Sequence, residues 1–171
     1  MTWTSPAPDP FDGPTTGPER PVLEGMLTWQ RRTFLHICAG LDADQLATRP
    51  VGSTQLSLLG LARHLAKVER VWFRKRVAGE DVPHLYDFEA HDDTDFRLVD
   101  PAGAEEAVTL LLAEQRAAAR AVAGIGLDHE IEVHGSTMSL RMVHLHVIGE
   151  YARHNGHADL LREAIDGVTG R

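Results

Sequence analysis

The sequence predicts an all-α protein, and more specifically a four-helix bundle, from three observations. Four long segments carry apolar residues at spacings of three and four, which is the repeat of a helix that buries one face. Glycines or polar, proline-containing segments separate these four stretches. The one β-like run is the "IEV" at 131–133, and 171 residues suit one domain with a core of its own. Four long amphipathic helices in one domain favour packing as a bundle.

The first 20 residues contain five of the nine prolines. Proline lacks the backbone N–H that helices and sheets need, so this stretch cannot be regular structure throughout. We therefore expect an extended Pro-rich arm over residues 1–20 and the bundle domain over residues 21–171.

The first two helices have clear sequence boundaries. The first should start between Pro18 and Pro21, because proline is tolerated in a first turn, and should run to about Ala39, with Gly40 closing it. In the connection that follows, Asp42 is expected to cap a short turn. The second helix should span residues 57–78 and end at the glycine that follows.

The second half of the chain begins with a long acidic connection, "EDVPHLYDFEAHDDTDF", over residues 80–96. We expect it to be a loop that covers the mouth of a site, with its acidic "HDDTDF" solvated. The third helix should cover about 102–123, where strong helix formers dominate. A short strand or extended turn at "IEV" precedes the fourth helix, which should begin at Ser139 as N-cap, run to about Ile165, and have Gly167 beyond its end.

Composition restricts the classes of function. The formal net charge of −8 argues against broad nucleic-acid binding and against an anionic membrane surface as partner, because both need a basic protein surface. The single cysteine, Cys38, excludes an internal disulfide and suits a reducing compartment. It lies near the end of the first helix without an activating partner, so a structural role is expected. The start lacks the basic and apolar regions of a secretory signal, which favours a cytoplasmic protein.

The segment "EYARHNGHADLLRE", residues 150–163, places polar groups on the apolar side of the fourth helix. At about 100° per residue, His154 lies within the apolar stripe, while Glu150 and His157 lie on its edge, one turn before and after it. A buried ionised carboxylate costs several kcal/mol unless it is paired. Something must therefore compensate Glu150.

A matching group is found in the second helix. In "LARHLAKVERVW", His64 lies between the apolar directions of Val68 and Val71, so it should also point toward the core. His64, Glu150 and His154 would then form a three-ligand His/Glu/His set, which suits a divalent transition metal and above all zinc. Three protein ligands leave positions open for water or substrate, as in catalytic sites.

Other interpretations of the same residues stand beside the metal site. A single histidine on an apolar face is more often a hydrogen-bonded core residue than a ligand. Glu150 and His154 could form a buried hydrogen-bonded pair. His144 and His146 are expected to face solvent or contact other helices, and His146, one turn before Glu150, could support it.

The pairing of "SLLGLARHLAKVERVWF" with "SLRMVHLHVIGEYARHNGHADLLREAIDG" resembles the DinB-like superfamily, and most closely an actinobacterial branch related to mycothiol-dependent maleylpyruvate isomerase. The resemblance extends from about Pro21 to Gly167. It implies a bundle of up-down-down-up topology with a metal site inside one end, and His64, Glu150 and His154 match the metal-binding positions of that branch. Where many relatives have a second glutamate, this chain has Gly149.

The resemblance also implies a function. It suggests a metal-dependent enzyme, a thiol-dependent (mycothiol-type) S-transferase or isomerase acting on a small electrophile, with zinc, nickel or iron as the metal and mycothiol as thiol cosubstrate. His157 would support the metal ligands or act as acid and base, and Arg153 would contact an anion of the cofactor. A homodimer is a further expectation. The alternatives are a non-catalytic, stress-related metal-binding bundle and a metal-dependent hydrolase.

Overall fold

The prediction of a mostly helical protein is confirmed in a computed structural model that describes residues 2–86, 94–97 and 99–169. Before the first helix, the chain runs without helix and lies against the domain. Ser5 exchanges backbone hydrogen bonds with Leu41 and Gly40, and the Arg32 guanidinium donates to the carbonyl of Pro10 at 3.1 Å. The division into an arm and a bundle domain stays a prediction.

Helix α1 spans Glu19–Cys38, within the predicted bounds. Gly40 follows it with φ +79°, in the left-handed region that favours glycine, so the chain turns sharply there. Asp42 caps α2, Ala43–Ala47, through a capping box in which Asp42 accepts from the Gln45 N–H and the Gln45 side chain accepts from that of Asp42.

The predicted second helix is continuous but changes its winding. Helix α3 spans Leu58–Glu69 and starts at Ser57, whose hydroxyl accepts from the Gly60 N–H. Arg70–Val77 continues it as a π-helix, in which backbone hydrogen bonds join residues five apart instead of four apart. This segment corrects the expectation of one regular helix to Ala78. A π segment turns side chains to faces that a period of 3.6 does not predict, and such segments are frequent at functional sites.

The predicted acidic loop contains a short helix, α4, Thr94–Arg97. Residues 87–93, including His91 and most of the acidic run, lie outside the described residues. A 3₁₀ turn over Pro101–Gly103, capped by the Asp100 carboxylate, leads into α5, Ala104–Val122. The predicted third helix is therefore correct to within two residues at each end.

The β-like run forms a hairpin of β1, Glu130–Val133, and antiparallel β2, Ser136–Ser139. Its two turn residues, His134 and Gly135, have φ of 50° and 78°, as in the tight turns that suit a twisted hairpin. Helix α6, Leu140–Asp166, follows directly, with Ser139 as N-cap and Gly167 as its left-handed C-cap, as predicted.

The four long helices share one core. Helix α1 packs on α6, and α3 packs on both α5 and α6, while the π segment contacts α5 and α6. Large side chains at the centre of this packing are fully buried: Phe34, Leu58, Leu61, Leu65, Phe73, Leu111, Leu140 and Tyr151. Within the described part of the chain, none of the helices has the length and apolar character needed to cross a membrane.

Candidate metal centre

His64 from α3 and Glu150 and His154 from α6 come together at the contact between these helices. One carboxylate oxygen, Glu150 Oε2, lies 3.7 Å from His64 Nε2 and 3.5 Å from His154 Nε2. One ligand atom from each residue lies within 4.8 Å of the other two. Buried Val147 and Tyr151 fix the apolar side of α6, so Glu150 is held at its edge, 17% exposed. These are the three residues that the sequence predicted as a set.

The His64 ring is oriented by a carboxylate that the sequence did not reveal. Asp95 Oδ2 lies 2.8 Å from His64 Nδ1, so Nδ1 carries the proton and donates it to Asp95. Nε2 then faces Glu150 and His154, and this buried atom has no hydrogen-bond partner within the described residues. Metal-binding histidines commonly have this arrangement, with the second ring nitrogen held by a carboxylate.

Asp95 corrects the expectation that "HDDTDF" is solvated, because its side chain is completely buried. Arg63 binds the backbone carbonyls of Thr94 and Asp95, and Lys67 forms an ion pair with the carboxylate at 2.5 Å. Burial alone would raise the pKa of Asp95, but hydrogen bonds from His64 and Lys67 outweigh it and lower the pKa to about 2. Asp95 is therefore an ionised carboxylate at neutral pH.

The three clustered groups differ in their charge. The neighbouring His64 imidazole lowers the pKa of Glu150 to about 2, against desolvation, so Glu150 is ionised. Since 3.7 Å is too long for a hydrogen bond, this effect is the electrostatic attraction between Glu150 and a protonated His64 ring. Burial lowers the pKa of His154 to about 4, which keeps it neutral and able to coordinate. Burial also acts to lower the pKa of His64, but Asp95 and Glu150 raise it overall.

The other predicted site residues lie around the cluster. His157 is half-buried, and its Nδ1 lies 3.4 Å from His154 Nδ1, on the ring nitrogen that does not face Glu150. This contact favours support of His154 over acid–base action beside Glu150. Arg153 is 67% exposed and lies 3.9 Å from Glu150 Oε1. Gly149 is exposed with open space at its Cβ position, so the missing second glutamate lies on the solvent face.

The remaining histidines of α6 have structural contacts. His144 is buried against Phe73, with ring centroids 5.2 Å apart, and Nδ1 donates to the Leu140 carbonyl. His144 was expected either to face solvent or to contact another helix, and the structure shows the helix contact. His146 is half-buried and packs on the Trp72 ring at 4.3 Å. Cys38 is buried, which raises the pKa of its thiol to about 12 and supports the structural role.

A small pocket of about 250 Å³ opens beside the cluster. His64 and Glu150 form part of its wall, and α3, the π segment, α6 and the hairpin turn supply the rest. Four residues of this wall were not connected with the site by the sequence: Lys67, Trp72, Arg76 and His134.

The family model of mycothiol-S-transferase matches residues 22–167, which is most of the chain. The chain therefore belongs to the mycothiol-S-transferase family, a member of the DinB-like superfamily, and the resemblance noted in the sequence is confirmed. No curated protein matches the chain.

Proposed function

We propose, from its membership of the mycothiol-S-transferase family, that this chain is an S-transferase that joins mycothiol to a small electrophile at a site holding one divalent metal ion. His64, Glu150 and His154 would be the metal ligands. The observation that carries the proposal is the buried Nε2 of His64, which has no hydrogen-bond partner in the described structure and is aimed at a carboxylate and a second imidazole.

The donor set fits a transition metal. Two neutral imidazole nitrogens and one carboxylate oxygen suit zinc, with nickel and iron as alternatives, and three protein ligands leave positions open. When bound, such an ion supplies Lewis acidity that lowers the pKa of a thiol near it. The single negative charge of Glu150 would balance part of the charge of a bound ion.

The residues around the ligands have roles that do not depend on the metal's identity. Asp95 fixes the tautomer and direction of the His64 ring. His157 would do the same for His154: if Nε2 of His154 coordinates, its Nδ1 carries the proton and donates to His157 Nδ1. Phe96 stacks on His64, with ring centroids 4.8 Å apart, and limits the water that reaches this side of the ring.

The reaction that we propose is balanced by simple displacement. The thiol loses its proton to water or buffer, its sulfur forms a bond with the electrophilic carbon, and the leaving group departs with the electron pair of its old bond. No redox cofactor is needed. An isomerase would use the thiolate differently: its sulfur would add to a conjugated carbon–carbon double bond, the former double bond would rotate as a single bond, and elimination of the thiolate would restore the double bond.

The test combines metal analysis with thiol transfer. Purified protein should contain about one divalent metal ion per chain and transfer mycothiol to a panel of electrophiles above the uncatalysed rate. The variant His154→Ala should lose both properties, while His129→Ala, at an exposed position, should keep them. Full metal content in His154→Ala would overturn the ligand assignment. Metal binding without transfer to any electrophile would leave the non-catalytic bundle, and hydrolysis without thiol would leave the hydrolase.

Three finer expectations complete the proposal. The four long helices would follow the up-down-down-up order of DinB-like bundles, the protein would act in the cytoplasm, where its thiol cosubstrate is kept reduced, and it would form a homodimer. Light scattering at several protein concentrations tests the dimer directly.

A further inference from the structure

The pocket beside the candidate metal centre contains a cation that the proposed transfer chemistry does not use. Arg76, from the π segment, is partly buried there. In the described parts of the chain, several half-buried arginines form ion pairs with carboxylates, among them Arg31 with Glu69, and Arg70 and Arg74 with Glu114. Arg32 and Arg63 instead donate to backbone carbonyls. Arg76 has no carboxylate within ion-pair distance among the described residues.

The contacts of Arg76 hold the guanidinium in place without neutralising it. Its central carbon lies 4.2 Å from the centre of the Trp72 ring, and Nη2 donates to His134 Nε2 at 3.4 Å. Accepting that bond requires a neutral His134 ring. Stacking on an aromatic face leaves the edge of the guanidinium, with its N–H donors, available for another acceptor.

The pocket is assembled from three separate elements around this cation. The π segment contributes Trp72 and Arg76, and α6 contributes His146, whose ring centroid lies 4.3 Å from that of Trp72. The hairpin contributes His134 from its turn, at a φ of 50° that non-glycine residues rarely adopt.

The charges of the pocket favour an anion at the Arg76 end. Lys67 is already paired with Asp95. Glu150 is the one carboxylate among the lining residues, and it belongs to the metal-ligand set. Burial of a charged guanidinium without a counter-ion is unfavourable, and it lowers the pKa of Arg76. A carboxylate placed here would form charge-assisted hydrogen bonds with the guanidinium and would offset the cost of burying its charge.

We propose that Arg76, held by Trp72 and His134, binds a carboxylate of the electrophilic substrate, so that the preferred substrates are small electrophiles with a carboxylate and a flat apolar part. The transfer reaction in this inference rests on the proposed function, whereas the binding of the carboxylate by Arg76 does not. The pocket volume of about 250 Å³ lies below the roughly 300–1,000 Å³ of sites for drug-sized ligands, which restricts the substrate to a small molecule. The flat apolar part would lie against Val68 and Val71, which also line the pocket.

A matched pair of electrophiles tests the inference: 4-chloro-3-nitrobenzoate, which carries the carboxylate, and 4-chloro-3-nitrobenzamide, which is neutral. In both, the sulfur bonds to the ring carbon, chloride leaves with the electron pair, and the thiol proton goes to buffer. Arg76→Gln should lower kcat/KM by about 10- to 100-fold for the benzoate, the range for a hydrogen bond to a charged group, and by less than about twofold for the benzamide. Arg76→Lys should keep part of the preference, and Arg120→Gln, at an exposed position of α5, should have no effect.

Direct binding separates this inference from the proposed function. Benzoate should bind the wild-type protein more tightly than benzamide in calorimetric titrations without thiol, and Arg76→Gln should abolish the difference. If the wild type binds benzoate in this way but transfers thiol to neither electrophile, the subsite stands and the proposed function fails. Benzoate binding that is unchanged in Arg76→Gln, or equal losses of activity for both electrophiles, would overturn the subsite. Circular dichroism and metal content should match the wild type in every variant.

Discussion

Three glutamates lie at or near the contacts between the long helices, and they are compensated in two different ways. Glu69, completely buried, receives two hydrogen bonds of 2.7 Å from Arg31 and one of 2.9 Å from Tyr151. Glu114, with a side chain 4% exposed, is bound by Arg70 and Arg74. Glu150 faces two histidines at 3.5 and 3.7 Å and no hydrogen-bonded cation among the described residues.

The difference separates a structural carboxylate from a candidate ligand. An arginine fork satisfies a carboxylate permanently, because the guanidinium is always charged and matches its two oxygens. Histidines near Glu150 supply lone pairs as readily as protons, so this cluster, unlike the arginine-bound carboxylates, could accept a metal ion. Glu69 and Glu150 both lie at helix contacts that involve α6. The type of the partner residues, arginine for Glu69 and histidine for Glu150, distinguishes the two more than burial does.

The largest expected effect on stability is at Glu69, one of the two compared carboxylates that are paired with arginine. Glu69→Gln should lower the free energy of unfolding by about 3–5 kcal/mol, because it leaves the Arg31 charge buried without a partner. Urea denaturation measures this change, with Glu163→Gln, at an exposed position, as control. Metal content should stay at the wild-type level. A loss below about 1 kcal/mol would mean that burial does not make this pair structural.

The next effect concerns the orientation of His64. Asp95→Asn keeps the shape of the side chain but replaces the carboxylate that fixes the His64 proton, so metal affinity should fall by about 10- to 100-fold without being abolished. Competition with a chromogenic chelator measures the affinity. Asp100→Asn, which alters a carboxylate outside the cluster, is the matched control. Unchanged affinity in Asp95→Asn would show that the His64 ring is oriented by packing alone.

A smaller effect distinguishes Glu114 by its pH dependence. Burial acts to raise the pKa of Glu114, but the hydrogen bonds from Arg70 and Arg74 outweigh it and lower the pKa. The stabilisation is therefore present above the unfolded pKa of about 4.3 and is lost as the pH falls through the lower folded value. Glu114→Gln should be less stable than the wild type by about 1.5–3 kcal/mol near neutral pH.

Unfolding curves of both proteins across the acid range test this prediction. The difference in unfolding free energy between them should shrink as the pH falls below about 4. A difference that is constant over that range would mean that the charge of Glu114 does not contribute to stability.

The smallest effect on the metal-free protein is expected at Glu150. Glu150→Gln should leave the melting temperature of the chelator-treated protein unchanged or slightly raised, because no arginine fork is lost. In the wild type, metal should stabilise the fold, by about 2.7 kcal/mol at a hundredfold excess over the dissociation constant, and this gain should shrink in the variant. Thermal melts with and without chelator measure both. Equal melting of treated and metal-loaded wild type would place Glu150 with the structural carboxylates.

Local features of the sequence predicted the helices and the central cluster. Gly40, Ser139 and Gly167 act within one or two residues of a helix end, so their meaning does not depend on the rest of the fold. Glu150 and His154 are four apart on one helix, and the helical repeat alone brings them to the same side. His64 was found because the apolar stripe around it gave its direction.

The tertiary structure decided which distant residues join the metal cluster and the neighbouring pocket. Asp95 contacts His64 across 31 residues of chain and was hidden within an acidic run that resembles a solvated loop. The π winding of 70–77 and the hairpin turn at His134 bring Trp72, Arg76 and His134 to one pocket, although the 3.6-residue repeat predicts neither. The sequence by itself determined the helices and the residues that carry lone pairs and charges, because both depend on neighbours within a few positions. Which charges are paired and which remain available for a ligand was decided by packing, because that depends on residues far apart in the chain.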